Sequence, residues 1–167
     1  PDPAEGMSVH GKTIFFLHTA AEIEHSLLVQ YLYAAYSLGD VGSRQDLTDE
    51  QKTQIEGWQD SILLIGKQGM GHLVTVQNLL RFIGGPLNFE REDFPFRNAY
   101  YPFSFHLEPL TKDSLAKYIA AEMPENPADP DGLVADAVRR AQAASEGGPI
   151  NRVGPLYARL IQLFADE

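Results

Sequence analysis

The stretch "LLIGKQGMGHLVTVQNLL", Leu63–Leu80, has apolar residues at helical spacing yet holds three glycines in six residues, Gly66, Gly69 and Gly71, beside His72. Each glycine inside a helix costs about 1 kcal/mol relative to alanine. A helix that accepts three of them has a use for the space. Outward from this stretch, Ile55, Trp58, Ile62, Ile65, Gly69, His72, Val76, Leu79 and Ile83 alternate three and four apart, which keeps them on one helix face. The helix opens at "LTDEQ", where Thr48 and Gln51 stand at capping-box spacing, and stops at Gly84-Gly85-Pro86.

Upstream, Leu17, Ala21, Glu24, Leu28, Tyr31, Ala35 and Leu38 repeat the alternation and predict a helix over residues 11–38, ended by Gly39. Two long helices joined by so short a link should lie antiparallel, as in a bundle. Downstream, residues 84–110 carry Pro86, Pro95, Pro102 and Pro109 with "FPFRNAYYPFSFH". This reads as an ordered crossover held by its aromatic side chains, and a connection of that length usually covers something or has its own task. Three shorter helices are expected over 112–123, 130–145 and 155–165, with Pro155 in a first turn. The expectation is an all-α chain forming one domain over residues 1–167.

Composition narrows the function. With 167 residues, 44% hydrophobic and 22% charged, the chain can bury a full core and is not disordered. A net charge of −10 repels a phosphate backbone, and Arg139-Arg140 is the longest basic run, so no nucleic-acid partner is expected. The absence of cysteine excludes disulfides, thiolate metal sites and a cysteine nucleophile. No apolar run is long enough to predict a membrane-spanning helix, and cytoplasm is the default setting. The chain opens on Pro1 rather than Met, which leaves room for a leader removed upstream.

The informative residues break the apolar stripes. Glu24 sits between Ala21 and Leu28, His72 between Ile65 and Val76, and Glu122 continues the face of Leu115, Tyr118 and Ile119. A buried carboxylate without a partner is unfavourable by several kcal/mol, so it takes a proton, a cation or a hydrogen-bond donor. Either a metal ion or a Glu–His or Glu–Tyr network meets that need. His18, Glu22 and His25 form a second polar stripe, expected to be solvated or supporting, with His25 able to turn toward Glu24. Tyr31 follows Glu24 by two turns on the same face. Tyr100, Tyr101, Phe103 and Phe105 suit either a lid or an apolar pocket.

The order "LHTAAEIEHSLLVQYLYAAYSL", "GMGHLVTVQNLLRFIGGP", "FHLEPLTKDSLAKYIAAEMPE" and "GPLYARLI" resembles the ferritin-like domain associated with the iminophenylpyruvate dimer synthases of bisindole pigment pathways, over residues 13–163. The resemblance implies a ferritin-like four-helix bundle, here with an aromatic, proline-rich crossover between its second and third core helices. It also implies a metal pair held by a Glu from one helix of each pair and a Glu-x-x-His from the other. By position, Glu24, His72 and Glu122 match ligands, and Tyr31 stands at the spacing often seen after the first Glu. Gly69, Pro155 and Ala158 occupy the other ligand positions. Two carboxylates remain where a bridged pair needs about four.

Two expectations follow. In one, Glu24, His72 and Glu122, with His25 as a further ligand, hold a single iron, manganese or zinc ion that supports oxidoreductase-like chemistry in secondary metabolism. In the other, there is no metal, and Gly69, Gln68, Tyr31 and Tyr157 border a pocket for a small aromatic or apolar ligand, or the bundle serves as a homo-oligomerising module. No catalytic residue is assigned.

Overall fold

The computed structural model describes residues 4–129, 131–145 and 150–166. Among the described residues there are five α-helices: α1 (Val9–Tyr36), α2 (Asp49–Phe82), α3 (Lys112–Glu122), α4 (Leu133–Ala144) and α5 (Gly154–Ala165). A short 3-10 turn, Val41–Ser43, lies between α1 and α2. Local chemistry sets the boundaries. Ser8 caps α1 by accepting the Gly11 N–H, and the chain leaves α1 through Gly39 at φ 73°. Thr48 and Gln51 form the expected capping box on α2, with Asp49 and Glu50 complementing the helix dipole in the first turn. The Asp129 carboxylate accepts the N–H groups of Val134 and Ala135 at the start of α4; Pro130, in the expected start of that helix, lies outside the described residues.

α1 and α2 run antiparallel. Gly69 stands opposite Glu24 and Gly66 opposite Leu28 and Tyr31, and the Ala35 carbonyl accepts from Gln59 Nε2 at 3.1 Å. α5 docks on another side of α1 through Tyr157 and Leu160, and α3 pairs with α4. Ile23, Leu27 and Tyr31 join the crossover aromatics Tyr101, Phe103 and Phe105 in one core cluster. Phe16, Leu17 and Ala20 join Val76, Leu80 and Leu160 in a second.

The buried seam of α2 departs from the expected stripe. Ile62, Gly66, Gly69, Val76 and Leu80 face α1, whereas Trp58 and Ile65 are exposed and His72 lies at the rim. The seam is displaced toward the glycines because they let the two backbones come close. On α3, Leu115 and Ile119 are likewise exposed, while Ala116 and Ala120 press on Ala141 of α4. Buried Lys117 pairs with both oxygens of Glu108, at 2.5 and 2.6 Å, and lies over the Phe103 ring.

The second polar stripe of α1 is where the crossover attaches. The His18 ring lies 3.0 Å from the Pro86 carbonyl. Glu22 accepts from Asn88 Nδ2 at 3.1 Å and from the Tyr101 hydroxyl at 3.3 Å. Gln77 of α2 exchanges two hydrogen bonds with the Asn88 backbone. The stripe is half-exposed and plays the supporting part expected of it: His18 and Glu22, with Gln77, fasten the crossover to both long helices. Phe96 and Phe105 exchange backbone hydrogen bonds, which folds the aromatic segment back on itself. Among the described residues, no helix is long and apolar enough to cross a membrane.

Candidate functional site

α1 turns Glu24 toward α2 and α5, where the residue is only 5% exposed. Tyr157, in the first turn of α5, donates its hydroxyl hydrogen to Glu24 Oε1. On the other side, His72 Nδ1 approaches Glu24 Oε2 to 3.5 Å. His72 does not lie in a dry interior as its sequence neighbours imply: its side chain is 61% exposed. The carboxylate and the imidazole thus face each other across the boundary between core and solvent.

Gly69 explains part of the opening puzzle. A Cβ there would stand 3.8 Å from Glu24 Oε2, with no other atom nearby, so the missing side chain leaves the carboxylate uncovered. Gly66 answers differently, since its Cβ would touch Leu28 and Tyr31 at the helix crossing. Gly71 faces open space. One glycine serves the site, one serves packing, and one serves neither within this chain.

The site opens into a cleft of about 950 Å³ whose walls include Glu24, His72, Glu122, Val153, Tyr157 and Gln162. Tyr31 donates to Glu122 Oε1 at 2.6 Å and stacks edge-on against Tyr118. The turn after α3, Met123–Glu125, forms one lip, and Arg152 Nη1 holds it by donating to the Glu125 carbonyl at 2.7 Å. Arg159 lies over the Phe16 ring at another edge. Sequence reasoning missed both arginines, since neither breaks an apolar stripe.

Burial raises the pKa of Glu24 above the usual carboxylate range, and the Tyr157 hydrogen bond and the nearby His72 oppose that rise only partly. Burial also raises Tyr31 and Tyr157, assisted by the Glu122 and Glu24 charges that face them. Both hydroxyls therefore stay protonated and keep donating at ordinary pH. The result is two carboxylates each satisfied by a tyrosine, with one open edge on Glu24.

The structure brings Glu24, His72, Glu122 and Tyr157 to one cleft, with Gly69 behind Glu24 and Tyr31 behind Glu122. Gln68 is exposed and is not part of its lining, and His25 is also outside it. The His25 Nδ1 atom is buried and makes no hydrogen bond. Among the described residues, no three His, Asp or Glu side chains gather in an arrangement suited to a metal ion. With Gly69, Pro155 and Ala158 in three ligand positions and tyrosines on both remaining carboxylates, these residues do not fit a carboxylate-bridged metal pair.

This chain belongs to the ferritin-like family, whose sequence pattern it matches over residues 17–166. It is similar to dichlorochromopyrrolate synthase of Lentzea aerocolonigenes, at 32% identity over 65% of this chain and 12% of that enzyme. It is also similar to 2-imino-3-(indol-3-yl)propanoate dimerase of Chromobacterium violaceum, at 29% identity over 84% of this chain and 16% of that enzyme. The chain thus spans about an eighth to a sixth of the length of these curated relatives. They are the kind of enzyme to which the sequence resemblance points. No solved structure matches the chain.

Proposed function

We propose that this chain is a ferritin-like domain of secondary metabolism that binds a small aromatic ligand in the cleft over Glu24. The observation that carries this reading is a shielded carboxylate, held on one side by Tyr157 and left open over Gly69, at the floor of a cleft of about 950 Å³. A ligand N–H or O–H would satisfy the open oxygen while the ring lies along Val153 and Tyr157. One relative is named for an indolyl imino acid, a planar aromatic compound with N–H groups, and a ligand of that class suits this cleft. The domain takes the whole of residues 1–167 and acts in the default cytoplasmic setting.

Thermal unfolding with indole, indole-3-acetate and tryptophan as probes tests the reading. The expected result is a rise in Tm with at least one probe, which Gly69→Leu removes by filling the space over Glu24. The absence of any shift with the native chain overturns it.

A second reading has one specific support, the 3.5 Å approach of His72 to Glu24. In it Glu24 and His72, with Glu122 in the same cleft, would hold a single iron, manganese or zinc ion, which would supply Lewis-acid or redox chemistry. Metal content after growth with each ion decides between the two. Stoichiometric metal that Glu24→Ala and His72→Ala both abolish supports the second reading, and its absence removes it.

A further inference from the structure

Glu24 and Glu122 line the same cleft, and a tyrosine already takes one oxygen of each. Tyr157 donates to Glu24 Oε1, and Tyr31 donates to Glu122 Oε1 at 2.6 Å. The second oxygens are treated differently. Among the described residues, no side chain donates to Glu122 Oε2. His72 Nδ1 stands 3.5 Å from Glu24 Oε2, well beyond the ~2.8 Å of a charge-assisted hydrogen bond. Glu24 is thus only 5% exposed and still has an oxygen short of a donor. We propose that the ligand of this cleft carries a cationic nitrogen, an ammonium on a short arm from its aromatic ring, which donates to Glu24 Oε2 within the field of Glu122. The proposal rests on the reading of the cleft as a site for a small aromatic ligand.

The sign of the charge follows from what surrounds that oxygen. Burial raises the pKa of Glu24, and the Glu122 charge adds to the rise. Tyr31 and Tyr157 are each pushed up by both carboxylates as well as by burial, so the two negative charges lie within range of one another. A cation placed there relieves their repulsion and makes a hydrogen bond roughly twice as strong as a neutral donor would. An anion adds a third negative charge. The cationic side chains of the walls are turned to other partners. Arg152 donates to the carbonyls of Pro124 and Glu125, and the Arg159 guanidinium lies 4.3 Å from the centre of the Phe16 ring.

Space and the wider field agree with this choice. A Cβ at Gly69 would stand 3.8 Å from Glu24 Oε2 and touch nothing else, which leaves room for a compact head group at that oxygen. The ring then lies in the wider part of the cleft, beside Val153 and Tyr157. A net charge of −10 draws cations toward the molecule and repels anions.

Calorimetric titration of the 167-residue chain with tryptamine, tryptophol and indole-3-acetate tests the proposal, in buffer containing a chelator. The three probes share an indole ring and a short arm that ends in an ammonium, a hydroxyl or a carboxylate. Tryptamine should bind at least tenfold more tightly than tryptophol, and indole-3-acetate should bind most weakly. Added salt should weaken tryptamine more than tryptophol. Glu122→Gln, which keeps an acceptor for Tyr31, should cut the preference for tryptamine at least threefold, and Glu24→Gln should cut it further. Tryptophol or indole-3-acetate binding as tightly as tryptamine overturns the proposal and leaves the aromatic-ligand reading standing. A preference that survives both glutamine variants also overturns it. If none of the three probes binds, both the proposal and that reading fall.

Discussion

The two long helices have similar lengths and opposite fates. α1 buries fourteen of its 28 residues and α2 six of its 34, although α2 carries Trp58, Leu64, Ile65 and Phe82. Burial here follows position in the assembly more closely than hydrophobicity. α1 has α2 on one side, α5 on another and the crossover on a third, so even Thr13, Thr19 and Gln30 lie inside it. These side chains avoid a desolvation penalty by hydrogen-bonding backbone carbonyls one turn earlier. Among the described residues, α2 packs chiefly on α1 and takes the crossover through Gln77, which leaves most of its circumference exposed.

The largest test of this contrast is a pair of truncations. Leu27→Ala on α1 removes a fully enclosed side chain and should cost about 3 kcal/mol in chemical denaturation. Leu64→Ala at an exposed position of α2 should cost no more than about 0.5 kcal/mol. Equal losses would erase the distinction between the helices. Next comes Tyr157→Phe, which takes the hydroxyl donor from Glu24 and should cost about 1.5 kcal/mol near neutral pH.

Glu24→Gln should act in the other direction. Because Glu24 has a raised pKa when folded, its contribution to stability is fully present below its ordinary value of 4.5 and is lost as pH rises through the raised value. The glutamine variant, which still accepts from Tyr157, should be the more stable protein at pH 8. That advantage should vanish near pH 4, and melting curves across the range read it directly. A modest gain is expected at Gly57, where a Cβ meets nothing; Gly57→Ala should stabilise α2 by about 0.8 kcal/mol through helix propensity alone.

Much of the fold was legible because periodicity and end signals agree. Thr48 with Gln51, Gly39 and Gly84 mark helix ends where the apolar patterns begin or stop. The rotation of α2 was not legible. A three-four alternation admits two neighbouring rows, and Trp58 with Ile65 outweighs Gly66 with Gly69 on any hydrophobic scale. Close backbone approach favours the row with the smaller residues, and a sequence does not display the shape of the facing helix. At α3 the expected face of Leu115, Tyr118 and Ile119 was right for buried Tyr118, whereas Ala116 and Ala120 lie inside in place of Leu115 and Ile119.

The candidate site was legible in its polar exceptions, Glu24 and His72, which lie 3.5 Å apart. Its walls were not. Arg152 acts through backbone carbonyls of a turn 27 residues away, and no local pattern encodes such a pairing. The crossover clip was also hidden, because Glu22 and His18 look like ordinary surface residues until Asn88 and Pro86 are placed against them.

Glu22 and Glu24 are only two residues apart on α1, yet one grips the crossover and the other forms the floor of the cleft. A rigid helix makes these two side chains arms of one lever. Any roll of α1 about its long axis that swings Glu24 away from Tyr157 must also pull on Asn88 and Tyr101. Widening the cleft from its floor therefore works against the fastening on the opposite flank.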